Sequence, residues 1–166
     1  MTRSFVPSAP AVSPTPLPRP QRPQRPASLT QWEALVQRGT HAVQAGHPEL
    51  ALFSFHQALA IAQDLLDVPP AELTDDCLAA LVVSHHNLAD LYAQAQLLEA
   101  AAQHLCRAHR TLLALQHSPA HGLAWRHSRE THTALLLHQR AWGPHPDITA
   151  LLHATTTTLA SPGTLH

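Results

Sequence analysis

The chain contains no lysine: all ten of its basic residues are arginine. Together with the abundance of Ala, Pro and His, this reads as the codon composition of a GC-rich genome and says nothing of function. Two cysteines, Cys77 and Cys106, are too few for the multi-bridge framework of a small secreted domain. No stretch reaches the ~18–20 apolar residues of a membrane span. The opening MTRSFVPSAPAVSP has no continuous apolar core of signal-peptide length, and proline interrupts it early. These absences point to a soluble cytoplasmic protein with reduced thiols and no membrane contact. Aromatic residues make up only 4% of the chain, and Val and Ile are scarce after the first quarter. Ala and Leu carry the apolar content instead, which favours helix over sheet. There is no Gly-rich phosphate loop and no paired-carboxylate cleft. A helix interior, where the Cys106–His109 pair falls, offers no free amides for an oxyanion hole, so no enzyme is expected.

At 166 residues the chain is one domain by length. Its net charge of −1 hides an asymmetry. Residues 1–27 carry Arg3, Arg19, Arg22 and Arg25 and no acid, whereas residues 28–166 set six Arg against eleven Asp or Glu, a net of −5. A mildly acidic body does not suit nucleic acid, which needs clustered positive charge. The first 27 residues also hold eight of the fifteen prolines, including Pro14-Thr-Pro-Leu-Pro-Arg-Pro. Proline fixes φ and lacks the amide donor, so neither helix nor sheet persists there. Residues 1–28 are expected to be a disordered Pro/Arg-rich tail with polyproline II character, and 161–166 a disordered end. The tail's PxxP spacings are of the kind that dock on aromatic grooves, although a plain tether is the simpler reading.

From 29 to 160 the pattern is helical. Thr30-Gln-Trp-Glu33 reads as a capping box opening a first helix that runs to about Ala45. Gly46 stops it, and Pro48 opens a second helix that ends before Pro69-Pro70. Thr74 or Asp75 caps a third helix to about Ala95, and a fourth spans about Leu97 to Gln116. Ser118-Pro119 is expected to cap a fifth, Ala120 to Ala141. After Gly143-Pro-His-Pro146 a short sixth helix covers Asp147 to Leu159, with fraying expected in Thr155-Thr-Thr-Thr158.

One spacing occurs twice. From Gly39, the residues at +7, +12, +16 and +19 are Gly46, Ala51, Phe55 and Ala58. From Ala89, those at +3, +12, +16 and +19 are Tyr92, Ala101, Leu105 and Ala108. Small residues sit where helices approach closely, and a large apolar residue fills the gap one turn on. Two segments with this pattern read as two copies of one helix–turn–helix unit.

Leu88-Ala89-Asp-Leu-Tyr92, Ala101, Leu105 and Ala108, with Gly39, Gly46, Ala51, Phe55 and Ala58, resemble the tetratricopeptide repeat (TPR) family. The copies lie 50 residues apart, as in the longer repeats of kinesin-light-chain-like members, and the three-hairpin length is similar to the small TPR chaperones of bacterial secretion systems. The resemblance implies an all-α, TPR-like α-solenoid of three antiparallel hairpins, about six helices. It also implies a non-enzymatic adaptor or chaperone that holds a protein or peptide partner in a concave groove, alone or in a homo-oligomer or larger assembly. The groove residues would be Val36, Gln37, Thr40, Val43 and Gln44 of the first helix and His86, Asn87, Asp90 and Gln94 of the third. Asn87 stands where many peptide-binding members use an Asn side chain to hold the ligand backbone or its C-terminal carboxylate. Val36 and Thr40 replace the basic residues of a carboxylate clamp, so a free acidic C-terminus is not the expected ligand.

Fifteen histidines set up a competing expectation. His85, His86, Cys106, His109, His127 and His132 fall on three helices that such stacking makes neighbours. Imidazole and thiolate suit Zn, Cu or haem iron. None of the spacings is a recognised metal motif, and a helical His is more often surface or satisfied core. No cofactor is therefore the primary expectation.

Overall fold

The computed structural model describes residues 29–160, and the expectations for residues 1–28 and 161–166 lie outside that range. It holds six α-helices: α1 (Leu29–Gln44), α2 (Pro48–Asp64), α3 (Asp75–Gln94), α4 (Leu98–Ala114), α5 (His121–Trp142) and α6 (Pro146–Ala160). They form three consecutive hairpins, with α2 also packed on α3 and α4 on α5. No helix among the described residues is long and apolar enough to cross a membrane.

The turns follow their sequence chemistry. Gly46 adopts φ +75°, the left-handed conformation that ends α1 without a Cβ penalty, and Pro48 opens α2 where its missing amide costs nothing. Thr74 caps α3, its hydroxyl accepting from the Cys77 amide at 3.4 Å. Gly143 turns the chain out of α5 at φ +92°. Two details differ from the sequence reading. Helix α1 is already helical at Leu29, so Thr30 lies inside it and is not its cap. The Ser118 hydroxyl accepts from the Ala120 amide at 3.2 Å, which closes a turn ahead of α5 instead of capping it. Helix α6 runs over Pro146–Ala160, close to the Asp147 to Leu159 expected.

The repeated spacing has a packing cause. Gly39 is buried, and a Cβ built there would lie 2.3 Å from the Phe55 ring. Only glycine lets α1 approach α2 this closely. Phe55 in turn packs with Ala42, Ala51, Leu59, Leu81, Leu88 and Leu91. In the second copy Ala89, Ala101 and Leu105 take the corresponding places, joined by Leu135 of α5 and Ile148 and Leu151 of α6. Trp32 ties α1 to α3 across the first hairpin, its indole N–H donating to Ser84 Oγ at 2.8 Å.

Candidate functional site

Between α1 and α3 lies a cavity of ≈ 250 Å³ lined by Thr40, Val43, Gln44, Phe55, Asn87, Asp90, Leu91 and Gln94. Helical periodicity explains the set: Thr40, Val43 and Gln44 are i, i+3, i+4 on α1, and Asn87, Asp90, Leu91 and Gln94 continue the same rule on α3. Six of the nine expected groove residues line it. Val36, Gln37 and His86 do not. Gln37 is exposed, and the half-buried Val36 lies one turn before Thr40, its carbonyl accepting the Thr40 hydroxyl at 3.0 Å. His86 is turned toward α5, where the Glu130 carboxylate acts on it together with Asp90. Desolvation outweighs both and lowers its pKa, and its Nε2 is buried without a hydrogen-bond partner. Phe55 and Leu91 were not expected to reach the groove. Their signal was the repeat pattern itself, which marks Phe55 as filler between two closely spaced helices.

The cavity pairs an apolar floor with amides. Phe55 and Leu91 are buried beneath it, and Gln44, Asn87 and Gln94 offer both donors and acceptors. Thr40 spends its proton on Val36, so it presents acceptor lone pairs. Asp90 is the single charged residue in the lining, its carboxyl raised by desolvation and pulled back by His86. No basic side chain lines the cavity.

The histidines form separate pairs and not one ligand set. His85 Nδ1 and His104 Nδ1 lie 3.0 Å apart and both rings are buried. His104 also stacks on Tyr92 with centroids 5.5 Å apart, and Tyr92 Oη lies 3.0 Å from His56 Nε2. Burial holds His85 down to about 3 and His104 to about 4, with neighbouring His and Arg107 charges adding to the effect. Both rings are therefore neutral at pH 7, and one of them carries the shared proton.

His109 Nδ1 lies 2.7 Å from Thr131 Oγ1. Thr131 has one hydroxyl proton, and its oxygen also lies 3.1 Å from the Ser128 carbonyl and 3.4 Å from the His127 carbonyl. With that proton directed to a carbonyl, His109 Nδ1–H donates to Thr131 Oγ1; with it directed to His109 Nδ1, the ring proton sits on Nε2. Burial, with His132 behind it, lowers His109 to about 4. The His132 ring is 6.0 Å from that of His109, and its Nδ1 is buried without a hydrogen-bond partner. His127 faces elsewhere: its Nε2 is 2.8 Å from Asp75 Oδ1 in the first turn of α3, which Arg126 also grips. Cys106 is fully buried, and desolvation raises its thiol pKa.

Four of the six residues suggested as metal ligands are thus divided among His85–His104, His109–Thr131–His132 and His127–Asp75, while His86 and Cys106 join none of these groups. Among the described residues no group of three or more His, Cys, Asp or Glu is arranged to hold a metal ion. His56, His104, Tyr92, Thr131 and Asp75, the partners that satisfy these rings, were not singled out as site residues. Nothing in a single sequence gives the rotational phase that brings them together.

These features define a six-helix all-α domain with an amide-rich groove between its first and third helices. The chain belongs to the family described as protein of unknown function (DUF2753), whose model matches residues 30–162. No curated protein and no solved structure matches it.

Proposed function

We propose that this domain is a non-enzymatic, TPR-type protein-binding module that takes an extended partner segment in the groove between α1 and α3. The cavity carries the reading: six residues named by repeat register line one space with a buried apolar floor. Amide side chains at regular spacing suit the alternating donors and acceptors of an extended backbone, while Val43, Phe55 and Leu91 suit an apolar anchor. With Asp90 in the lining and no basic residue, the groove favours a neutral or basic segment over an acidic terminus. The buried, raised Cys106 thiol argues against a nucleophile, because the thiolate is the reactive form. Two buried free cysteines fit a reducing, cytoplasmic setting.

The test places a photo-crosslinking amino acid at Thr40 and identifies partners captured in the native host. Asn87→Ala with Gln94→Ala should release the captured partner by about tenfold or more in Kd while leaving the helical spectrum unchanged. If every partner stays bound to the double variant, the groove assignment is wrong.

A further inference from the structure

A second cleft, of ≈ 470 Å³, lies between α2 and α4 and is floored by α3. His85 lines it, two residues before Asn87 and so about 200° around α3 from the groove. Arg107 and Arg110 enter from α4, and Gln63 and Asp67 face them from the end of α2 and the turn after it. The two arginines are i, i+3 on one helix face, so their guanidinium groups are neighbours of like charge. The ion pairs among the described residues are made by Arg126, His127 and His145, leaving Arg107 and Arg110 without a carboxylate partner. Guanidinium stays charged at any working pH and presents forked N–H donors that match carboxylate and phosphate oxygens.

Two further polar side chains, His85 and Gln63, line the cleft beside the apolar Leu66 and Leu81. His85 is neutral, and its Nδ1 faces His104 Nδ1. When His104 donates that bond, His85 carries its own proton on Nε2, where it serves as a donor at the floor of the cleft. Gln63 adds an amide N–H. Thr111 contributes only acceptor lone pairs, because its hydroxyl proton goes to the Arg107 carbonyl at 3.0 Å. Asp67 is the one carboxylate present, and it competes with any incoming anion for the same guanidinium groups.

We propose that this cleft is an oxyanion-binding site in which Arg107 and Arg110 grip the phosphate or carboxylate group of a small molecule, over a floor formed by the His85 ring. The site is independent of the partner groove, since the two open on different faces of α3. At ≈ 470 Å³ the cleft has room for an organic body behind the anionic group.

The test titrates the full-length protein with inorganic phosphate and with acetate at constant ionic strength, using chloride as the control. Binding is followed by the Nε–H signals of Arg107 and Arg110 in NMR spectra. Saturable shifts at these two side chains, with none under chloride, are the expected result. Tighter response to phosphate assigns a phosphate-bearing ligand, and tighter response to acetate a carboxylate. Arg107→Gln with Arg110→Gln should weaken the interaction by about tenfold or more, and Asp67→Asn should strengthen it. Both arginines are exposed, so the fold is expected to survive. Shifts that match those under chloride, or a response that the double variant leaves unchanged, overturn the proposal.

Discussion

Three buried histidines in an Ala- and Leu-rich core would each cost several kcal/mol if charged and unpartnered; burial keeps them neutral, and His85 and His104 face one another while His109 faces Thr131. Thr131 is the clearest case, because its hydroxyl lies 2.7 Å from His109 Nδ1 and is the hydrogen-bond partner of that buried ring nitrogen. Thr131→Val keeps the shape and removes the hydrogen-bond partner of His109 Nδ1. It should destabilise the protein by about 1–3 kcal/mol in urea unfolding. Thr133→Val, one exposed turn-neighbour on, should stay within about 0.5 kcal/mol. The same residues set an acid response. His85, His104 and His109 have folded-state pKa values near 3, 4 and 4, while the unfolded chain titrates near ~6.5. Below ~6.5 the unfolded state binds protons that the folded state refuses, so stability is complete above that pH and is lost as pH falls toward 4. Each such ring steepens the loss by up to about 1.4 kcal/mol per pH unit. Urea midpoints at pH 7, 6 and 5 should fall progressively, and His104→Phe should flatten the slope. A midpoint constant from pH 7 to pH 5 would refute the neutral-core assignment.

At the scale of the element, two glycines in helices have opposite roles. Gly39 lies against the Phe55 ring, so Gly39→Ala forces α1 away from α2 despite alanine's better helix propensity. A net loss of about 1–3 kcal/mol is expected, largely recovered by combining it with Phe55→Leu. Gly122 has open space where its Cβ would sit, so Gly122→Ala should stabilise α5 by about 0.5–1 kcal/mol. Thermal unfolding of the two single variants side by side separates close packing from propensity. This contrast also marks what a sequence can reveal. Gly39, Gly46, Pro48 and Thr74 carry their roles in local chemistry or in a repeated interval, and the helices they bound were legible. Helix α1 opens at Leu29, ahead of the Thr30 capping box, and Ser118 spends its hydroxyl on a turn, because both choices depend on how the chain enters a packed helix. The groove was legible to the extent that register fixes a helix face, which is why Thr40, Val43, Gln44, Asn87, Asp90 and Gln94 converge. The histidine pairings were not, because they need the relative rotation of two helices: His85 meets His104 of α4, while His127 turns to Asp75.

For the molecule as a whole, the three hairpins are not equally integrated. The first two share cores that run across α1 to α4, while α6 attaches through few large side chains. Ile148 is fully buried against α4, with Leu151 beside it in the cluster of Ala101, Ala102 and Leu105. Two polar links supplement them: Gln139 Nε2 donates to Thr149 Oγ1 at 2.6 Å, and His145 Nε2 lies 2.9 Å from Glu99. The Glu99 link is solvent-exposed on its carboxylate side and adds little. Ile148 is therefore the main anchor. Removing its side chain to alanine leaves a cavity against α4 and should cost about 2–5 kcal/mol. Because the loss falls on an element at the end of the stack, it should surface first as local opening. Native-state amide exchange should show α6 deprotected in Ile148→Ala, while α3 and the α1–α3 groove keep protection close to that of the parent. Equal loss of protection in all six helices would mean that the third hairpin folds as one cooperative unit with the other two.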